Sequence, residues 1–275
     1  NMRILSDGSL PPWPPKPSCI KVNYLGGTAL NAVGLSNLGM KAHFADGRWQ
    51  RMEKPFIISF MAVEKTKEEG HAERKQFVAE ATKHIPYFGA TVEIQENYSC
   101  PNTGHQVAFE ELEDEVHEGL AILSEIGVPL IPKFNVLLPF ETAKGISDDR
   151  NCDGLCVSNT IPWGALSHRI PWNRLFLYSL IFRKSPLWRL GGGGLSGEPL
   201  LPLTAQWVQL VREAGVTKPI NAGGGILKPE DVDVLYEAGA DSVFLGSISF
   251  LRPWNIKPAI RRAYAVIRER SWICR

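Results

Sequence analysis

A thiol and two carboxamides lie within six residues in the segment Glu96-Asn97-Tyr98-Ser99-Cys100-Pro101-Asn102. A cysteine at such a place can act as base or nucleophile, and each asparagine can donate and accept hydrogen bonds to a planar polar ligand. The segment follows the apolar alternation of Thr91, Val92 and Ile94, which reads as a strand. A strand that ends in a Pro-containing loop projects its last side chains over its C-terminal end, where parallel α/β proteins hold their ligands. On their own, these residues read equally as turn formers and core filler. The rest of the chain has to decide.

Two glycine turns follow later strands: Asn221-Ala222-Gly223-Gly224-Gly225-Ile226 and Leu245-Gly246-Ser247. Glycines there let backbone N–H groups approach an anion, and the loops after the last two strands of a (β/α)₈ barrel are its usual phosphate site. Lys133 stands in an otherwise apolar strand, Pro129 to Phe134. Pointing inward it must meet an anion; at the strand's end it would reach solvent. Asn159 closes its strand as Asn97 and Asn102 flank theirs, whereas Asn31 could be a turn residue only. Cys152 and Cys156 have no second pair or His partner at ligand spacing, so no metal site is expected.

The elements that must position these groups follow from the pattern. Strands are expected near residues 57, 93, 131, 156, 220 and 244, with helices over Glu64–His84, Glu110–Ile126, Thr204–Ala214, from Pro229, and over Lys257–Arg270. Apolar strands alternating with helices mean a parallel sheet covered by helices, open or closed into a (β/α)₈ TIM barrel. Residues 1–56 read as irregular and 160–200 as a long loop or lid insertion, within a single domain spanning 1–275. A barrel needs two more strands than the six found, so an N-terminally truncated barrel is expected.

Composition narrows the function classes. The chain has 275 residues, 44% hydrophobic and 21% charged, with a net charge of +1. That balance gives no electrostatic case for nucleic acid or an acidic membrane surface. The five cysteines are odd in number and scattered, as in a reducing compartment. The most apolar stretch, Leu175 to Phe182, is too short to span a bilayer. With Trp172, Trp188, Arg174, Arg183 and Lys184 beside it, the stretch could rest on a membrane surface, although a lid or subunit contact is the preferred reading.

Taken in order, these pieces resemble the dihydroorotate dehydrogenases. The matching segments are Asn31 to Asn37, Asn97 to Asn102, Lys133, Ser158-Asn159-Thr160, Gly193-Gly194-Leu195-Ser196-Gly197, Gly223 to Ile226 and Gly246-Ser247. The resemblance implies an FMN-containing barrel that oxidises dihydroorotate to orotate in pyrimidine biosynthesis. Cys100 would be the base, the residue that marks the soluble branch of the family. Asn31, Asn97, Asn102, Asn159 and Thr160 would bind substrate; Lys133, Gly194, Gly224, Gly225, Gly246 and Ser247 would hold the flavin. It further implies a cytoplasmic homodimer, with an electron-transfer subunit as a possible partner. The family's first two barrel strands, and the lysine on the second, have no counterpart before Asn31. The alternatives are a flavin reductase acting on uracil-type rings and a truncated, non-catalytic barrel.

Overall fold

A computed structural model of the chain describes residues 19–35, 37–64, 66–98 and 109–273. Ile20–Asn23 (β1) and Thr28–Asn31 (β2) form an antiparallel hairpin, and Met40–Asp46 (α1) follows. The chain then alternates: Phe56–Phe60 (β3), Lys67–His84 (α2), Val92–Asn97 (β4), Phe109–Leu123 (α3), Leu130–Phe134 (β5), Phe140–Asp148 (α4) and Leu155–Val157 (β6). An excursion carries Ile161–Pro162 (β7), Leu177–Phe182 (α5) and Gly194–Gly197 (β8). Leu201–Glu213 (α6), Ile220–Gly223 (β9), Glu230–Glu237 (α7), Ser242–Phe244 (β10), Ile248–Leu251 (α8) and Ile256–Ile273 (α9) complete the series.

Six strands pair in parallel in the order β10-β9-β6-β5-β4-β3, a curled TIM-barrel-like sheet with helices on one face. Strand alternation explains the two faces. Ile58, Ile94, Leu130, Leu155 and Ile220 point to the helices and are buried, each contributing about 1.5–3 kcal/mol of apolar burial. The opposite set is polar: register aligns Asn97 with Lys133, Lys133 with Cys156, Cys156 with Asn221 and Asn221 with Ser242. One row of the inner face thus carries five groups able to bind a ligand or each other. The α2 helix starts at a capping box, in which the Thr66 hydroxyl accepts from the Glu69 N–H and the Glu69 carboxylate accepts from the Thr66 N–H.

All six expected strands are present. Residues 20–31 differ from the irregular reading: they form a hairpin, and among the described residues they add no strand to the parallel sheet. The hairpin's short strands, split by Gly26-Gly27, lack the apolar run that marks a buried strand. The excursion is likewise more than a loop. β7 and β8 join the hairpin in a second, antiparallel sheet, ordered β1-β2-β8-β7. A satellite core including Leu30, Ile161, Trp172, Leu175, Phe176, Leu187 and Leu195 lies beneath it. Helix α4 had no marker in the sequence reading. Among the described residues β3 and β10 each lack an outer parallel neighbour, and the inner face of β3 is open at Ile57 and Ser59. A groove of about 540 Å³ runs there between Met40, Ser59 and Asn97.

Candidate functional site

The two sheets meet over the C-terminal ends of β5, β6, β9 and β10 and enclose a cavity of about 300 Å³. Its walls include Asn31 and Ser196 from the antiparallel sheet, Lys133 at the end of β5, and Ser158, Asn159 and Thr160 after β6. Gly224 and Gly225 follow β9, and Gly246 and Ser247 follow β10. Eight of the sequence-named residues therefore share one cavity: Asn31, Lys133, Asn159, Thr160, Gly224, Gly225, Gly246 and Ser247.

Asn31 is no turn residue. It ends β2 opposite Gly194, which fixes its backbone at the cavity wall. Gly194 lies within β8, paired with Asn31, and is not among the residues lining this cavity. The glycines around it have a geometric cause. Gly197 has φ +101°, and a Cβ there would come 2.1 Å from the Gly27 carbonyl oxygen, closing off the approach of β8 to the hairpin. Asn97 reaches the site through Asn159, whose Nδ2 donates to the Asn97 Oδ1 at 2.7 Å. The Asn159 Oδ1 accepts from the Thr160 N–H at 3.0 Å. These bonds orient both carboxamides before any ligand arrives.

Lys133 holds its ammonium 5.0 Å from the centre of the Phe244 ring. No carboxylate pairs with Lys133 among the described residues, so the cavity presents a cation with capacity for an anion. Beside it, burial pushes the Cys156 thiol up to about 12, against the pull of the Lys133 charge. Cys156 is thus no base at neutral pH; its sulfur donates weakly to the Asn221 Oδ1 at 3.6 Å, and Asn221 donates in turn to the Ser242 hydroxyl at 2.7 Å. Cys100 and Asn102 lie outside the described residues. Sequence reading overlooked Ser158, Ser196 and Phe244 as wall residues. Register would have signalled Phe244, because it follows by two residues the Ser242 that faces inward.

The strand carrying Asn97 is anchored from its other face. Arg74 of α2, fully buried, donates from Nε to Glu96 Oε1 at 2.6 Å and from Nη2 to Glu115 Oε1 at 3.0 Å. The Tyr98 hydroxyl donates to the second Glu96 oxygen. Burial is the largest single influence and would lower the pKa of the Arg74 guanidinium, yet the charge of Glu96, the Tyr98 phenol and the hydrogen bonds to Glu115 and Glu96 together outweigh it and raise it. Arg74 therefore stays charged, bracing β4 immediately before the thiol-bearing segment.

Glycine turns after the last two strands of a parallel βα series, facing a cation and paired carboxamides, define a ligand-binding α/β protein of the TIM-barrel kind. A sequence profile of the dihydroorotate dehydrogenase family matches residues 13–263. The dihydroorotate dehydrogenase B (NAD(+)) catalytic subunit of Bacillus mycoides is 30% identical over 249 residues, covering 88% of this chain and 72% of that protein. Its counterpart from Geobacillus sp. (strain WCH70) is 29% identical over 232 residues, covering 83% and 67%. The ligand-free DHODH of Eimeria tenella superposes with a TM-score of 0.64 over 93% of this chain and 74% of that one, at 19% identity. The chain belongs to the dihydroorotate dehydrogenase family, a family of oxidoreductases.

Proposed function

We propose that this chain oxidises dihydroorotate to orotate with bound FMN, as a step of pyrimidine biosynthesis. The observation that carries the reading is the convergence of Asn31, Asn159, Lys133 and the two glycine turns on one cavity. The residues present fit the cofactor. A Cβ on Gly246 would meet no protein atom within 4 Å, which leaves room beside that backbone for a phosphate. Gly225, with φ +83°, turns the chain tightly against the start of α6, where a Cβ would come 2.5 Å from the Leu201 nitrogen. Gly224, Gly225, Gly246 and Ser247 would hold the phosphate end, and Lys133 would face the ring as a preorganised cation.

When bound, FMN would accept the hydride. The chain's own residues do the rest. Asn31, Asn97, Asn159 and Thr160, with Asn102, would hold the pyrimidine plane and its carboxylate by paired donors and acceptors without adding net charge. Cys100 would take the proton from C5. That electron pair forms the C5–C6 double bond as the hydride leaves C6, so one proton and two electrons are accounted for. The relatives' printed name, a catalytic subunit of an NAD(+) enzyme, supports a separate electron-transfer subunit for this chain. A cytoplasmic homodimer is the assembly proposed.

The test is spectroscopic. The purified protein should be yellow, and anaerobic dihydroorotate should bleach it. Cys100→Ala should keep the flavin yet slow bleaching by about 100-fold or more, the scale of a lost general base. A folded but colourless protein would overturn the reading. The edge of β3, which has no outer parallel neighbour among the described residues, favours a second reading, a non-catalytic relative that binds through its open sheet. Faster bleaching by dihydrouracil than by dihydroorotate would move the assignment to a uracil-type reductase.

A further inference from the structure

Between Gly154 and Gly197 the chain has no acidic residue, while Arg169, Arg174, Arg183, Lys184 and Arg189 fall inside this interval. The whole chain has 30 Lys and Arg against 29 Asp and Glu, so the residues outside this interval carry 25 bases against 29 acids. The excursion is therefore a local concentration of positive charge. It also carries a cluster of uncovered apolar side chains. Leu177 is 74% exposed and Ile181 62%, with Leu180, Phe182 and Trp188 also exposed beside them. Leu177, Leu180 and Ile181 are spaced i, i+3 and i+4 on α5, so they share one helix face.

This face is held firmly. Leu175 and Phe176 sink into the satellite core under the antiparallel sheet, and the Asn23 Nδ2 donates to the Leu175 carbonyl at 2.8 Å. Aromatic groups order the rim: the Tyr178 and Phe182 rings lie 4.7 Å apart, and the Trp188 indole donates to the Tyr178 hydroxyl at 3.1 Å. The Lys184 ammonium sits 4.2 Å from the Trp188 ring centre and Arg189 5.0 Å from it. Within 160–200, Thr160, Ser196 and Leu200 line the ligand cavity, and no residue of 161–193 is among its lining.

We infer that the α5 face is a docking surface for an anionic lipid bilayer. Exposed aliphatic side chains, an indole and a phenol at their margin, and lysine and arginine beside them form the arrangement that lies in a membrane interface. Charge complementarity selects this occupant. A second copy on a two-fold axis would set the same cations against themselves. The aliphatic centre offers no hydrogen-bonding group to a polar partner. Thr160, in the cavity wall, and Gly194, paired with the wall residue Asn31, connect the excursion to the ligand-binding region, while α5 itself is not part of the wall. The contact is interfacial, and among the described residues no helix is long and apolar enough to cross a membrane.

The experiment is co-sedimentation of the full chain with vesicles of phosphatidylcholine, with and without roughly one part in three of phosphatidylglycerol. Binding is expected with the mixed vesicles and should fall in high salt. Ile181→Asp should reduce it more than tenfold. Arg183→Gln with Lys184→Gln should reduce it about 25-fold, at about fivefold per lost cation. Leu177→Asp repeats the test on the same face if Ile181→Asp does not fold, as judged by circular dichroism. Three results would overturn the inference: no binding to mixed vesicles, binding that the variants leave unchanged, or a patch-dependent dimer or polyglutamate complex without vesicle binding.

Discussion

Replacing Arg74 by Met tests whether the braced strand beneath the site is an electrostatic necessity or a packing convenience. Arg74 and Glu96 are each 2% exposed, and Glu96 has only Arg74 and the Tyr98 hydroxyl as hydrogen-bond partners among the described residues. Met keeps most of the buried volume and removes the charge. Glu96 then remains in a dry site with one neutral donor, and Glu115 loses its 3.0 Å bond. Breaking a buried pair in this way costs about 3–5 kcal/mol, whereas a surface pair would cost about 0–1 kcal/mol. For a chain of this size that corresponds to a fall in Tm of roughly 6–15 °C, taking about 2–3 °C per kcal/mol. Urea unfolding followed by circular dichroism gives the free energy directly. Arg74→Met with Glu96→Gln should recover part of the loss, because no strong acid is then left buried alone. A loss under about 1 kcal/mol for the single variant, or a double variant worse than the sum of the singles, would refute the reasoning. The consequence also reaches the site, since Tyr98 immediately precedes the thiol-bearing segment and its hydroxyl is held by Glu96.

Other outcomes follow from the same geometry. Asn159→Ala removes the 2.7 Å bond to Asn97 and should weaken orotate binding by about tenfold, roughly 1–2 kcal/mol, measured by titration of the flavin spectrum. Alkylation by iodoacetamide at neutral pH should spare Cys152 and Cys156, both buried, with thiols pushed up by burial to about 11 and about 12. Peptide mass mapping should instead find label on Cys100, and orotate should protect it; early label on Cys156 would contradict the buried row. Burial works to raise the Asp149 carboxyl, but the Asn151 N–H at 2.7 Å and His117 at 2.6 Å prevail and hold it below its ordinary value. A carboxylate lowered on folding stabilises above its unfolded pKa and loses that contribution as pH falls through the folded one. Stability should therefore decline below about pH 4 and decline less in Asp149→Asn, as read by thermal melts across pH.

The parallel sheet was legible because its strands obey local rules. Apolar runs at Phe56, Val92, Leu130, Leu155 and Ile220 are bounded by helical stretches, and burial on the helix side agrees with the pattern at each. The hairpin β1–β2 escaped notice for a physical reason. Its partner strand β8 lies more than 160 residues further on, as Asn31 opposite Gly194 shows, and a glycine-rich strand such as Gly194–Gly197 carries no periodicity to read. The same long-range pairing decides two residue roles. Asn31, readable from sequence as a turn or as a substrate contact, lies at the cavity wall, and Gly194, expected beside the flavin, is its strand partner in β8. Residue type carried the site's chemistry, but only strand register could assign each residue its side of the wall.

Register also accounts for the division of labour along the inner row. Asn97, Lys133, Cys156, Asn221 and Ser242 are aligned, yet only Lys133 of the five lines the enclosed cavity. Asn221 is engaged sideways with Ser242 and Cys156, and those bonds satisfy the polar groups on the floor of the site. Asn97 faces the open groove beside β3 and is linked to the cavity by Asn159. A half-buried cation set among satisfied neutral groups has one electrostatic demand left, an anion from outside. If Lys133 were replaced by Met, the row would lose that demand while its neighbours kept their bonds. The ligand-free fold should then be as stable or slightly more so, and affinity for an anionic ligand should fall. That opposition between stability and binding is what distinguishes a binding cation from a structural one.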